Sequence, residues 1–476
     1  MGKGSITKDI FLSFLRCNKL ALYKSLDLEE KNFRHISLEE NEALFKELAY
    51  KLACKSENGV SKKIIRNKQF LINEDEHISA DVILKHPKEN ILLEIVCSPN
   101  LIDGAELNWL AYKLYLIRKT NYKIHKIWIV KVDKKYEKKG ELSDDILFIK
   151  DVTTKINRYL HTIPSLIEKI NLYLRQRELP EKQKGPFCLE PNPCPFKKLC
   201  WEDMPGKNSV FEIDGLLARK KFNLFWKEIS SFEEIPKNAL NKRQKIQVKY
   251  GIRNVPYQKT DELNSWLNNI NKQGRVWFLS IELAYPVLPM HENAKPFTSV
   301  PFQFSLKYQK SGSVNYTPYD FLNIVPSEPD STLVFLLNLI EKLSLDVEAP
   351  IIIYGSKRIK KCLTNLATWY PGYSRVINNI LSRLIDLQEV FEECWYYHPK
   401  FKGSTELSRI APIMIPEIPY GHQFIKSRTH AGNEFIRYLN KPSGISKETQ
   451  RHLSEYSNLN SHSLMEIVKF IRQIKQ

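Results

Sequence analysis

The chain has 476 residues, 42% of them hydrophobic and 26% charged, and carries a net charge of +18 from 72 Lys and Arg against 54 Asp and Glu. That length exceeds one ordinary core, so two or three domains are expected. The balance excludes a disordered chain, and no apolar run approaches the roughly 20 residues that cross a bilayer. The start, "MGKGSITKDIFLSFLRCNKLALY", has neither the apolar region nor the cleavage site of a signal peptide, and Ile6 stands where a myristoylation motif needs Ser or Thr. A cytoplasmic protein is the expectation. The positive excess favours nucleic acid, because cations that neutralise phosphates release condensed counterions. A Lys- and Asn-rich genome would produce the same excess with no partner.

In chain order, "LEENEALFKELAYKLACK" (38–55) repeats apolar residues at helical spacing and predicts an amphipathic helix. "HISADVILKHPKENILLEIVCS" alternates, turns at "HPKEN" and becomes continuously apolar, as a hairpin leading into a buried strand does. A helix, "ELNWLAYKLYLIRKT", and a strand, "KIHKIWIVKVD", follow. A helical stretch, "INRYLHTIPSLIEKINLYLRQREL", runs into "GPFCLEPNPCPFKKLCW", and residues 206–272 read as a polar helical linker. Beyond 273, "RVWFLSIELA" and "VPFQFSLKYQ" pair as strands, "TLVFLLNLIEKLSL" is a helix and "APIIIYGS" a strand. "RVINNILSRLIDLQEVF" and "SLMEIVKFIRQI" read as closing helices. The fold class is α/β, and the second half, strands first and helices after, suits an RNase H-like arrangement.

Of eight cysteines, Cys188, Cys194 and Cys200 stand at equal C-x5-C spacing among prolines. In a cytosolic chain such clustering points to metal rather than to disulfides. A structural site needs a fourth ligand, and Cys17, in "FLSFLRCNKLALY", is the candidate; it would clasp the N-terminus to the end of the first domain. Zinc sites usually bring C-x2-C pairs, so a [4Fe–4S] cluster suits these longer spacers better, with zinc the alternative. Cys54, Cys97, Cys362 and Cys394 read as ordinary buried thiols.

A distal N-terminal Cys with three more behind an α/β core resembles the RecB-like PD-(D/E)XK iron–sulfur nucleases, including the CRISPR-associated iron–sulfur exonucleases. "LFIKDVT", "VPFQFSLKYQ" and "YYHPKFKGS" extend the likeness to a bacterial family of uncharacterised function that joins such a nuclease to a DEDD-type, RNase H-like domain. The resemblance implies a nuclease-like domain at 1–205 with a four-cysteine iron–sulfur clasp, a linker at 206–272 and a degenerate exonuclease domain at 273–476.

It also implies two acid sites. In the first, Asp81 of "ISADVIL" and Glu94 of "LLEIV" would hold Mg2+ or Mn2+, but Val96 stands where the E-x-K pattern has its lysine. Lys113, on the next helix near a position where the RecB-like family has Gln, could reach the same space; on so Lys-rich a chain the plainer reading is a solvated surface residue. In the second site Ser280 replaces the first acid while Glu282 remains, "IIIYGSKRIKK" carries no carboxylate, Asp386 survives, and Tyr456 is kept with Asn460 in the last acid's place. A two-metal mechanism needs several carboxylates, so this half reads as a pseudo-exonuclease. Trp395, Tyr396 and Tyr397, beside lysines, suit base stacking or a packed core equally. Two functions follow: an iron–sulfur nuclease cutting DNA at Asp81, Glu94 and Lys113, or an inactive scaffold that binds DNA or RNA without cutting.

Overall fold

The computed structural model describes residues 6–26, 42–55, 63–73, 76–85, 88–96, 104–175, 184–271, 274–310, 313, 315–325, 330–439, 441 and 443–474. The protein is a mixed α/β chain of two compact units, Met1–Asp203 with Val287–Phe297, and Met204–Pro286 with Thr298–Gln476. Residues 206–272, read from sequence as a separate linker, thus group with the second unit. No described helix is long and apolar enough to cross a membrane.

The first unit opens with α1 (Lys8–Arg16), α2 (Asn18–Ser25) and α3 (Glu42–Lys55). Its sheet runs β1 (Lys63–Asn73), β2 (Glu76–Lys85), β3 (Asn90–Val96), β4 (Lys126–Val132) and β5 (Leu147–Asp151), in that spatial order. Every pairing is antiparallel except β3 with β4, which α4 (Gly104–Lys119) connects. A parallel pair needs such a crossover, and the apolar run of "ILLEIV" is what a strand covered on both faces requires. Leu92, Ile127 and Ile129 pack on α1, α4, α5 (Thr153–Leu160) and α6 (Ile163–Arg175). Val82, Leu93 and Val130 pack on the other face, towards α3. The cysteine segment ends in α7 (Lys197–Cys200).

In the second unit α8 (Ala218–Phe225), α9 (Lys242–Arg253), β6 (Tyr257–Gln258) and α10 (Thr260–Asn271) precede a second sheet. Its strands are β7 (Arg275–Ala284), β8 (Val300–Lys310), β9 (Tyr316–Leu322), β10 (Ile351–Ile353) and β11 (Leu384–Asp386), in the spatial order β11–β10–β7–β8–β9. β7, β8 and β9 pair antiparallel, and β10 pairs parallel with both β7 and β11. One face lies under α11 (Ser331–Leu343), α12 (Ser356–Trp369) and α13 (Ser374–Ser382). α14 (Gln388–Glu392), β12 (Tyr396–Tyr397, paired with β6), α15 (Leu407–Met414), α16 (Arg428–Ile436) and the long α17 (Lys447–Gln473) complete the unit. α10, α15 and α17 cover the opposite face of the sheet.

"RVINNILSRLIDLQEVF", expected as one helix, is α13, then β11, then α14. The triplet "LID" pairs along β10, and that long-range ladder overrides the local helical pattern.

Candidate functional sites

In the first unit the β2–β3 register sets Val82 opposite Leu93, so the next residues along, Asp81 and Glu94, are neighbours on one face. Asp81 Oδ2 accepts the Ile95 backbone N–H at 2.9 Å. Glu94 Oε2 accepts the ammonium of Lys113, and the two side chains are only 7% and 8% exposed. The surface reading of Lys113 is therefore corrected. α4 lies on the Asp81–Glu94 face of the sheet and buries Lys113 among its apolar residues, and a buried ammonium needs the partner it has.

Burial pushes the Glu94 carboxyl above its usual pKa; Lys113 pulls it back and Asp81 raises it further. Glu94 Oε1 is buried without a hydrogen-bond partner. That orphaned oxygen, beside a second carboxylate, fits a divalent cation, the ligand class that hard oxygen donors accept.

Sequence reasoning missed Lys131. The parallel β3–β4 register sets it beside Val96, on the same face as Glu94. It is 6% exposed; burial lowers its pKa, Lys134 and Lys150 add to that, and Glu106 opposes. The signal was the period-two pattern of "KIWIVKV", which puts Lys131 in line with Ile127 and Ile129.

The thiols converge in the same unit. Cys17 is an extended residue between α1 and α2, with φ −163° and ψ 118°. Next to it, Arg16 donates from Nε to the Phe187 carbonyl at 2.8 Å and from Nη2 to that of Asn192, tying the N-terminal helices to the cysteine segment. The Cys194 N–H donates to the Cys188 carbonyl at 2.9 Å. Cys17, Cys194 and Cys200 pack on Leu20, Tyr23 and Phe196. Burial pushes the Cys194 and Cys200 thiols up, with Cys17 and Cys188 contributing to both.

Among the described residues no group of three or more His, Cys, Asp or Glu side chains is set to hold a metal ion. The all-cysteine donor set fits an iron–sulfur cluster or zinc in chemistry and number. Cys362 and Cys394 are buried, and burial pushes Cys362 up to about 12. Cys97 and the Cys54 side chain lie outside the described residues.

In the second unit, Glu282 on β7 is fully buried, and its Oε1 accepts from Ser280 Oγ and from Asn460 Nδ2, both at 3.0 Å. Asn460 Oδ1 accepts from the Tyr420 hydroxyl at 2.8 Å. Tyr456, one turn before Asn460 on α17, lies beside it, and burial drives the Tyr456 hydroxyl pKa up. Helical i, i+4 spacing places both on one face.

Asp386 does not join them. Its Oδ1 accepts from Gly355 N at 3.0 Å and Gln388 N at 2.9 Å, and its Oδ2 from Ser356 N at 2.6 Å. Asp386 is thus committed to the backbone at the start of α12, and Glu282 is the carboxylate that Ser280 and Asn460 contact. Tyr396 and Tyr397 are 5% exposed within the core, and Trp395 packs against the same core. Of the two readings open for Tyr396 and Tyr397, their burial favours the packed core.

A domain of unknown function, DUF2779, matches residues 277–406, from β7 to the segment before α15. No curated protein and no solved structure matches the chain.

Proposed function

We propose that the first unit is a metal-dependent DNA phosphodiesterase of PD-(D/E)XK type and that the second is a degenerate, RNase H-like exonuclease module that binds without cutting. The observation that carries this is the buried Lys113–Glu94 pair beside Asp81, which supplies from a helix the lysine that Val96 lacks. The β1–β5 order, with its single parallel step across α4, supports the nuclease-like fold. The order β11–β10–β7–β8–β9 supports the RNase H-like one.

Mg2+ or Mn2+, when bound, supplies Lewis-acid activation of a phosphoryl oxygen and acidifies a bound water. The protein's own part is positioning. Asp81, oriented by the Ile95 N–H, and the free Oε1 of Glu94 present oxygens to the cation. Lys113 holds the other Glu94 oxygen and places a fixed positive charge where negative charge develops on the phosphoryl group. Cys17, Cys188, Cys194 and Cys200 would hold a [4Fe–4S] cluster, or zinc, as a structural clasp of the N-terminal helices, with no part in bond cleavage.

The alternative, a scaffold that binds nucleic acid without cutting, draws support from the second unit, where Glu282 is contacted by the neutral Ser280 and Asn460 and Asp386 accepts from backbone N–H groups. Purified full-length protein with labelled single- and double-stranded DNA and RNA, in Mn2+ and in EDTA, separates the two. Cleavage in Mn2+ that is lost in Asp81→Ala supports the enzyme; salt-sensitive binding with no cleavage under any condition supports the scaffold.

A further inference from the structure

The acids of the second site are replaced by more than neutral residues, because two guanidinium groups stand around Glu282. Arg358, in the first turn of α12, reaches back to β7 and donates from Nη1 to the Ile281 carbonyl at 3.2 Å. Its Nε is buried without a hydrogen-bond partner. Arg428, the first residue of α16, donates from Nη2 to the Tyr354 carbonyl at 3.5 Å, and its guanidinium lies 5.8 Å from the centre of the Tyr354 ring.

The two cations feel each other. Burial lowers the Arg358 pKa, Arg428 lowers it further, and Glu282 opposes both. Tyr285, beside both guanidiniums and 45% exposed, carries a hydroxyl at the same place.

The charge inventory reverses the chemistry. A two-metal site gathers several carboxylates so that cations are attracted. Here one carboxylate, with Oε1 occupied by Ser280 and Asn460 and Oε2 buried without a hydrogen-bond partner, faces two guanidiniums that are protonated at any physiological pH, a charge balance the Asp81–Glu94 site does not have. A divalent cation would meet net positive charge. A phosphoryl group would meet the donor geometry that guanidinium groups match best. Both arginines are part-exposed, whereas Glu282 is fully buried.

We infer that the site around Glu282 is a metal-independent phosphate site, in which Arg358 and Arg428 grip a phosphoryl group where the fold's two metals would otherwise stand. This rests on reading the second unit as a degenerate exonuclease, but it requires nothing of Asp81, Glu94 or Lys113, so it can fail without the cleavage proposal failing.

The test uses full-length protein in EDTA at low salt. Calorimetric titration is run with inorganic phosphate, with a 5′-phosphorylated single-stranded oligonucleotide and with the same oligonucleotide unphosphorylated. Binding is expected in EDTA, with Arg428→Gln and Arg358→Gln each weakening it by about 10–100-fold. Response to phosphate alone identifies a free anion; response to the phosphorylated oligonucleotide alone identifies a chain terminus; response to both oligonucleotides identifies the backbone. Each of the three supports the phosphoryl site. If Arg358→Gln does not fold, the more peripheral Arg428→Gln carries the comparison, with Arg428→Lys expected to retain part of the affinity. Absence of binding in EDTA, binding that appears only with Mn2+, or affinity indifferent to Arg428→Gln would overturn the inference.

Discussion

Lys113→Met is the most informative perturbation of the first unit. Methionine keeps the length and apolar stem of lysine, so the change removes the ammonium from a pair whose side chains are 8% and 7% exposed. Taking away one partner of a buried pair costs about 3–5 kcal/mol, because the other charge stays behind. For a unit of this size that corresponds to a fall in Tm of about 6–20 °C, at about 2–4 °C per kcal/mol.

The loss depends on pH in a definite sense. Burial and Asp81 already raise the Glu94 carboxyl, and Lys113 is the charge that pulls it down, so the variant's Glu94 rises further. A carboxyl whose folded pKa exceeds its unfolded value contributes stability below the unfolded pKa and loses it as pH rises through the folded one. The deficit of Lys113→Met is therefore largest at about pH 8 and shrinks towards about pH 5, where Glu94 escapes by taking up a proton. In Glu94→Gln/Lys113→Met both charges are gone, and stability returns to within about 1 kcal/mol of the parent or above it. Thermal unfolding followed by circular dichroism at the two pH values reads all three proteins. If Lys113→Met unfolds within about 0.5 kcal/mol of the parent at both, the figure typical of surface changes, the ammonium is solvated and the reasoning fails.

Cys17→Ser and Cys200→Ser are each expected to abolish an absorbance band near about 400 nm in anaerobically purified protein and to lower the unfolding temperature of the first unit; a colourless parent that holds stoichiometric zinc by elemental analysis would replace the cluster with zinc. Asp386→Ala strips acceptors from the Gly355, Ser356 and Gln388 N–H groups and should cost about 1–3 kcal/mol in chemical denaturation without altering cleavage. A matching loss of cleavage would show that Asp386 serves a catalytic site after all. Ser280→Asp/Asn460→Asp places two more acids beside Glu282, yet no Mn2+-dependent exonuclease activity is expected, because Arg358 and Arg428 remain near Glu282; a gain of activity would contradict the phosphate-site inference.

Local patterns made much of the molecule legible. The continuous apolar run of β3 and the period of α4 located Glu94 and Lys113 on a strand and a helix, and the hairpin placed Asp81 on the strand alongside. What those patterns do not encode is which face of α4 meets the sheet. In a helix buried nearly all round, a lysine's direction is set by packing, so Lys113 read as solvated until α4 and β3 were brought together. Lys131 was hidden for a related reason, since its proximity to Val96 is a matter of parallel register across α4.

β11 was lost in a helical pattern because three residues of strand draw their stability from β10, far away in sequence. The motif that lacked a carboxylate, "IIIYGSKRIKK", was read for what it had lost. Its Arg358 reaches back to the β7 carbonyl of Ile281, a contact that the local pattern does not encode.

The central claim is that Lys113 stands in for the lysine missing at Val96. Mn2+-dependent cleavage of labelled DNA by the full chain, by Lys113→Met and by Val96→Lys/Lys113→Met tests it most directly. Lys113→Met should lose about 10²–10³-fold in rate, the usual effect of removing a preorganised charge-stabilising group, and returning lysine at Val96 should restore a measurable part of it. A parent that cuts DNA and a Lys113→Met variant that cuts equally well would contradict the claim.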